Sequence, residues 1–128
     1  MSDLHGRIHW TELMTRDVQG AIDYYTKVCG WSVDGMEMPE GMYYVAKKGD
    51  DMVAGMMNMA EMPGMEDVPP HWFSYIAVDD VDKAVDQTRS GGGTVMREPW
   101  DVGGVGRIAI IKDPTGAAIG LMTPSDDG

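Results

Sequence analysis

A single cysteine stands in this chain of 128 residues, and its isolation excludes two architectures at once. Cys29 can form neither an internal disulfide nor a multi-cysteine zinc site. It falls at the expected end of a helix, just before Gly30, where a small buried apolar residue is the expectation and a nucleophile the rival. Basic residues are also few. Ten Lys and Arg face 21 Asp and Glu, for a formal net charge of −11. Nucleic acid calls for a basic face and is excluded as a partner. Solubility alone accounts for such a charge, and a cationic ligand is compatible with it. No apolar run approaches the ~20 residues of a membrane span. The opening MSDLHGRIHW lacks the apolar stretch of a secretion signal. A cytoplasmic protein with no membrane contact is the default expectation.

Methionine is plentiful instead. Thirteen are present, nine of them between Met36 and Met65. Thioethers bind Cu(I), but such sites want a tight cluster with His or Cys, and this segment has neither. Flexible side chains lining a core or an adaptable pocket are the expectation.

Taken in order, the chain reads as one pattern used twice. Ile8–Met14 is a strand, and Asp17 a helix N-cap. Val18, Ala21, Ile22 and Tyr25 then fall on one helical face, and Gly30 stops the helix. Trp31–Val33 reads as a short strand and Met36–Gly41 as a loop carrying Pro39. Met42–Lys48 and Met52–Met59 form a hairpin around Gly49-Asp50-Asp51. Three prolines and a glycine make the stretch before His71 a connector. His71–Val78 is the next strand and Asp80 the next N-cap. Val81, Ala84, Val85 and Thr88 repeat the helical face, and Gly91-Gly92-Gly93 ends it. That glycine run follows a helix rather than preceding one, so it is a terminator and not a phosphate cradle. Thr94–Trp100 is a strand, Asp101–Val105 a turn, and Gly106–Met122 a closing hairpin. Its turn, Asp113-Pro114-Thr115-Gly116, joins an Asp that bonds its own backbone to a Pro that pre-sets φ. Asp17 and Asp80 are 63 residues apart, and the same offset links Val18 with Val81, Gly30 with Gly93 and Asp50 with Asp113. Residues 7–60 form module one, 61–70 a connector and 71–123 module two of a single domain spanning residues 1–128.

A doubled βαβββ unit of this length resembles the vicinal oxygen chelate superfamily, which includes glyoxalase I, bleomycin-resistance proteins and extradiol ring-cleaving dioxygenases. The resemblance rests on Asp17-Val18-x-x-Ala21-Ile22-x-Tyr24-Tyr25 with Gly30-Trp31, on Val78-Asp79-Asp80-Val81-Asp82-x-Ala84-Val85, and on Asp113-Pro114-Thr115-Gly116. It covers nearly the whole chain and implies an α+β fold, two tandem modules forming a curved mixed sheet around a cleft. Cleft halves meet within one chain or across a dimer, and a homodimer is the expectation.

Metal-dependent members of that family hold the ion with His or Glu from the first and fourth strands of each module. The corresponding positions here are Trp10, Gly55, Phe73 and Gly120, none of which has a side chain that binds a divalent ion. The expectation is therefore no cofactor, with a divalent metal as the alternative. Rebuilding a site would need Glu12 and His71, with a further carboxylate. His9 alternates to the other face of its strand.

The cleft face should then carry Trp10, Glu12 and Met14 from the first strand, with Phe73 and Tyr75 from the fifth. Gly55 and Gly120 are expected to leave room opposite the aromatics. These seven residues are the candidate ligand-binding set, a carboxylate among aromatic walls. A carboxylate so placed has its pKa raised and can act as a base or bind a cation. Packing of Trp10 against Phe73 in a collapsed core is the rival. Three functions follow: metal-free binding of a small cationic or aromatic molecule, a lyase, isomerase or dioxygenase with a rebuilt metal site or with Glu12 as base and Tyr75 as donor, or an interaction module with a vestigial cleft.

Overall fold

The computed structural model describes residues 3–38, 41–60, 66–102 and 105–125. Pro39, Met62, Pro63, Gly64, Met65, the centre of the Asp101–Val105 turn and the last three residues lie outside them. Eight strands and two helices follow in the order β1 (Ile8–Thr15), α1 (Val18–Cys29), β2 (Ser32–Met38), β3 (Gly41–Lys48), β4 (Asp51–Asn58), β5 (His71–Ala77), α2 (Val81–Ser90), β6 (Thr94–Val102), β7 (Gly106–Lys112) and β8 (Ala118–Pro124). Two compact units emerge, residues 10–73 and residues 3–9 with 74–125. Each holds most of a first strand, then a helix and three strands, and the cuts fall within β1 and β5.

In the first unit the sheet runs β2-β3-β4-β1. β1 and β4 are parallel, while β2, β3 and β4 are antiparallel neighbours. The Asp17 carboxylate accepts the Gly20 amide at 2.9 Å, satisfying a donor that the first helical turn leaves without a partner. Gly30 closes α1 at φ 72°, a left-handed conformation that glycine adopts without a Cβ penalty. One sheet face buries Leu13, Ala46, Ala54 and Met56 beneath Ala21, Ile22 and Tyr25 of the helix. Full burial of Met56 alone is worth about 2 kcal/mol.

The second unit repeats the arrangement as β5-β8-β7-β6. Asp80 caps α2 through the Lys83 amide at 3.2 Å. Val81 and Val85 pack on Ala109, Ile111 and Leu121. The β7–β8 turn is built as the sequence implies: the Asp113 carboxylate accepts the Thr115 amide at 2.8 Å, the Thr115 hydroxyl at 2.6 Å and the Ala117 amide at 3.1 Å. These donors, the Thr115 hydroxyl first, hold the Asp113 carboxyl below the usual carboxylate range.

Two expectations are corrected and a third is refined. β2 is longer than Trp31–Val33: Met36, Glu37 and Met38, read as loop, pair with Tyr43, Met42 and Gly41. Pairing to β3 overrides their modest strand propensity. Cys29 is exposed rather than buried, as are its neighbours Lys27 and Val28 in the last turn of α1. The methionines divide: Met14, Met56 and Met59 are buried, whereas Met36, Met42 and Met52 are exposed.

Candidate functional site

Each sheet has one face covered by its helix, so the chemistry must be sought on the other face. Paired residues in a sheet point to the same side, and alternation along each strand fixes the rest. In the first unit Glu12 pairs with Gly55 and Met14 with Met57, while Leu13 pairs with Met56 on the helix side. Tyr43 pairs with Met57 and with Met36, and Val45 with Gly55. The face turned away from α1 therefore carries Glu12, Met14, Gly55, Met57, Tyr43 and Met36.

A hydrogen-bonded chain crosses this face. The Trp10 indole N–H donates to the Tyr43 hydroxyl at 2.7 Å, and that hydroxyl donates to Glu12 Oε1 at 3.0 Å. Glu12 is 6% exposed. Burial first, and then the neighbouring Glu12 carboxylate, push the Tyr43 hydroxyl well above its ordinary pKa, while the Trp10 donor pulls the other way. Tyr43 thus stays a neutral donor through the physiological range.

The room expected over Gly55 is filled. A Cβ at residue 55 would run into the Tyr43 hydroxyl and stand 3.1 Å from Trp10 Nε1. Tyr43 was absent from the expected set, although a signal existed. Glycine within a strand marks close approach of a bulky neighbour, and β3 offered an adjacent tyrosine.

Phe73, half-buried, stands edge-on to His71, whose Nδ1 is 2.8 Å from the Pro69 carbonyl oxygen. The Thr11 hydroxyl donates to the Phe73 carbonyl at 3.4 Å. His9 is exposed. In the second unit Tyr75 and Gly120 are directly paired, and the Tyr75 ring occupies the space that a Cβ at residue 120 would need. The expected room there is filled as well. A hollow of about 370 Å³ in that unit, lined by His5, Asp79 and Thr123 among others, contains none of the seven candidate residues.

A family model described as the Glyoxalase/Bleomycin resistance protein/Dioxygenase superfamily matches residues 7–121. The chain belongs to this superfamily. Among relatives, the Mycobacterium tuberculosis protein named "Putative glyoxylase CFP32" is 44% identical over 119 residues, 91% of this chain. The chain spans only 45% of that relative's length. A lactoylglutathione lyase of Escherichia coli O157:H7 is 32% identical, with 95% of this chain and 96% of the relative aligned. Methylmalonyl-CoA epimerase from Mycobacterium tuberculosis superposes with a TM-score of 0.68 at 15% identity, covering 98% of this chain and 93% of that one. That likeness shows the glyoxalase-like α+β fold.

Members of this superfamily that use a metal prompt a test of fit, and the donor set fails it. An indole nitrogen has no lone pair for an ion, and Trp10 spends its N–H on Tyr43. Gly55 and Gly120 offer no side chain, and tyrosines fill the space above both. Among the described residues no three His, Cys, Asp or Glu side chains form a cluster able to hold a metal.

Proposed function

We propose that this chain binds a small molecule without a metal, on the module-one face around Trp10, Tyr43 and Glu12. The observation that carries the reading is the Trp10–Tyr43–Glu12 hydrogen-bonded chain standing over Gly55. It puts two aromatic rings and a largely buried carboxylate where the superfamily's metal ligands would come from. Aromatic walls with a few convergent polar groups are the ordinary make-up of a ligand site. The net charge of −11 is compatible with a cationic ligand, and the aromatic walls suit a cationic or planar one.

The test pairs two measurements. Protein incubated with Zn²⁺, Ni²⁺ and Fe²⁺ and then desalted should retain no stoichiometric metal. A panel of cationic and neutral aromatics should contain members that quench tryptophan fluorescence in the native chain but not in Trp10→Phe. Retention of one metal equivalent that disappears in Glu12→Gln would overturn the reading.

Catalysis of the lyase type is the second reading, favoured by the names of the relatives and by a base candidate, Glu12, held by a neutral tyrosine. Glu12 would take a proton, with the neutral Tyr43 hydroxyl hydrogen-bonded beside it. Turnover assayed on lactoylglutathione that persisted unchanged in Glu12→Gln would remove that assignment. A homodimer and a cytoplasmic location belong to the same proposal; sedimentation and cell fractionation address them.

A further inference from the structure

The methionines left over from the core form a pattern on the same face. Met14 pairs with Met57, Met57 with Tyr43, and Tyr43 with Met36, so one row crosses all four strands of the module-one sheet. Exposure rises along it. Met14 is 6% exposed, Met57 and Tyr43 are half-buried, and Met36 is 45% exposed. Tyr43 leans out of the row toward Gly55, where its hydroxyl reaches Trp10 and Glu12. Two thioether side chains are left flanking the base of a tilted ring. Neighbouring strands lie about 4.8 Å apart, so Met57 and Met36 are about 10 Å apart across the sheet. That is the length of two to three fused aromatic rings.

We infer that the ligand of the proposed site is a flat aromatic cation lying along Met57 and Met36, with its charged end toward Glu12. The inference rests on the metal-free binding reading and names its ligand class. Thioethers are polarizable, make favourable contacts with aromatic rings and adapt their shape to them. The neutral Tyr43 hydroxyl and the Glu12 carboxylate give the row one polar end, and a ligand cation complements that end. Met52, 64% exposed and paired with Lys47 at the far end of the β3–β4 hairpin, lies off the row and supplies a control.

The probe is proflavine, a tricyclic cation, with 1-aminoadamantane as a compact cation of different shape. Protein labelled with ¹³C at the methionine methyls is titrated with each, and affinity is read in parallel from proflavine fluorescence. Proflavine should shift the Met36 and Met57 methyl resonances. Met36→Ala, a change at an exposed side chain that leaves folding intact, should weaken proflavine about fivefold or more, a loss of one good apolar contact. Met52→Ala should leave it unchanged, and 1-aminoadamantane should move neither row methyl. Proflavine binding that quenches Trp10 but ignores Met36→Ala would overturn the row while leaving metal-free binding intact. Absence of proflavine binding overturns the planar-cation class. Metal-free binding then fails separately, if the wider panel also leaves Trp10 unquenched or a metal is retained.

Discussion

The two modules solve one problem with different residues. Both have a glycine on the last strand of the βαβββ unit, and in both a tyrosine occupies the space above it. In module two the ring belongs to Tyr75, the residue directly paired with Gly120. In module one Gly55 is paired with Glu12 on β1 and with Val45 on β3, and the ring comes from Tyr43, two residues from Val45 on β3. Glu12 and Tyr75 are 63 residues apart, the offset of the repeat. The repeat thus keeps the glycine and its aromatic cover but changes the strand that supplies the ring. Because the module-one ring arrives diagonally, a carboxylate sits beneath it, hydrogen-bonded rather than replaced. At the equivalent position of module two stands the Tyr75 ring itself, with no carboxylate beneath it.

The largest effect should come from Gly120→Ala, because its methyl would strike the body of the Tyr75 ring rather than a movable tip. About 3 kcal/mol of stability should be lost in urea titration. Gly55→Ala should cost less, about 2 kcal/mol, since the Tyr43 tip can swing away at the expense of its two hydrogen bonds. Tyr43→Phe removes those bonds at about 1–2 kcal/mol. It should also absorb much of the Gly55→Ala cost in the double variant, while leaving the cost of Gly120→Ala intact. Full additivity at Gly55 would break the comparison.

Alkali sharpens it further. The Tyr43 hydroxyl titrates higher in the folded chain than in the unfolded one. Its contribution is complete below about pH 10, the ordinary tyrosine value, and is lost as pH rises toward the folded pKa. Stability curves above pH 10 should fall less steeply in Tyr43→Phe than in the native chain. The smallest effect concerns the paired turns. Asp113→Ala should lower the melting temperature by removing three acceptor contacts, whereas Asp50→Ala at the equivalent turn of module one should change it little.

Local signals were the legible ones. Asp17, Asp80, Gly30 and the Asp113 turn act through contacts within a few residues, so spacing alone places them. The doubling was legible because a constant offset needs no three-dimensional knowledge. The candidate site was only half legible. Alternation correctly grouped Trp10, Glu12 and Met14, but Tyr43 lies more than thirty residues away, and its part depends on β3–β4 register and on the lean of a ring. Neither leaves a trace in spacing. The end of β2 was missed for a related cause: Met36–Met38 are strand because β3 lies beside them, not because of their own propensity.

β2 is the outermost strand of the module-one sheet, paired with β3 over seven residues without a register shift. β6, its counterpart, has two register shifts and carries Pro99, both of which discourage another chain from adding on. β2 has no such obstruction; it carries Glu37 and Asp34, the latter ion-paired with Lys47 at 2.8 Å. Charge on an unobstructed β-margin opposes the addition of another chain, so the surplus of acid in this chain acquires a colloidal consequence: acidic solution, or neutral substitutions at Asp34 and Glu37, should raise the light scattering of concentrated protein.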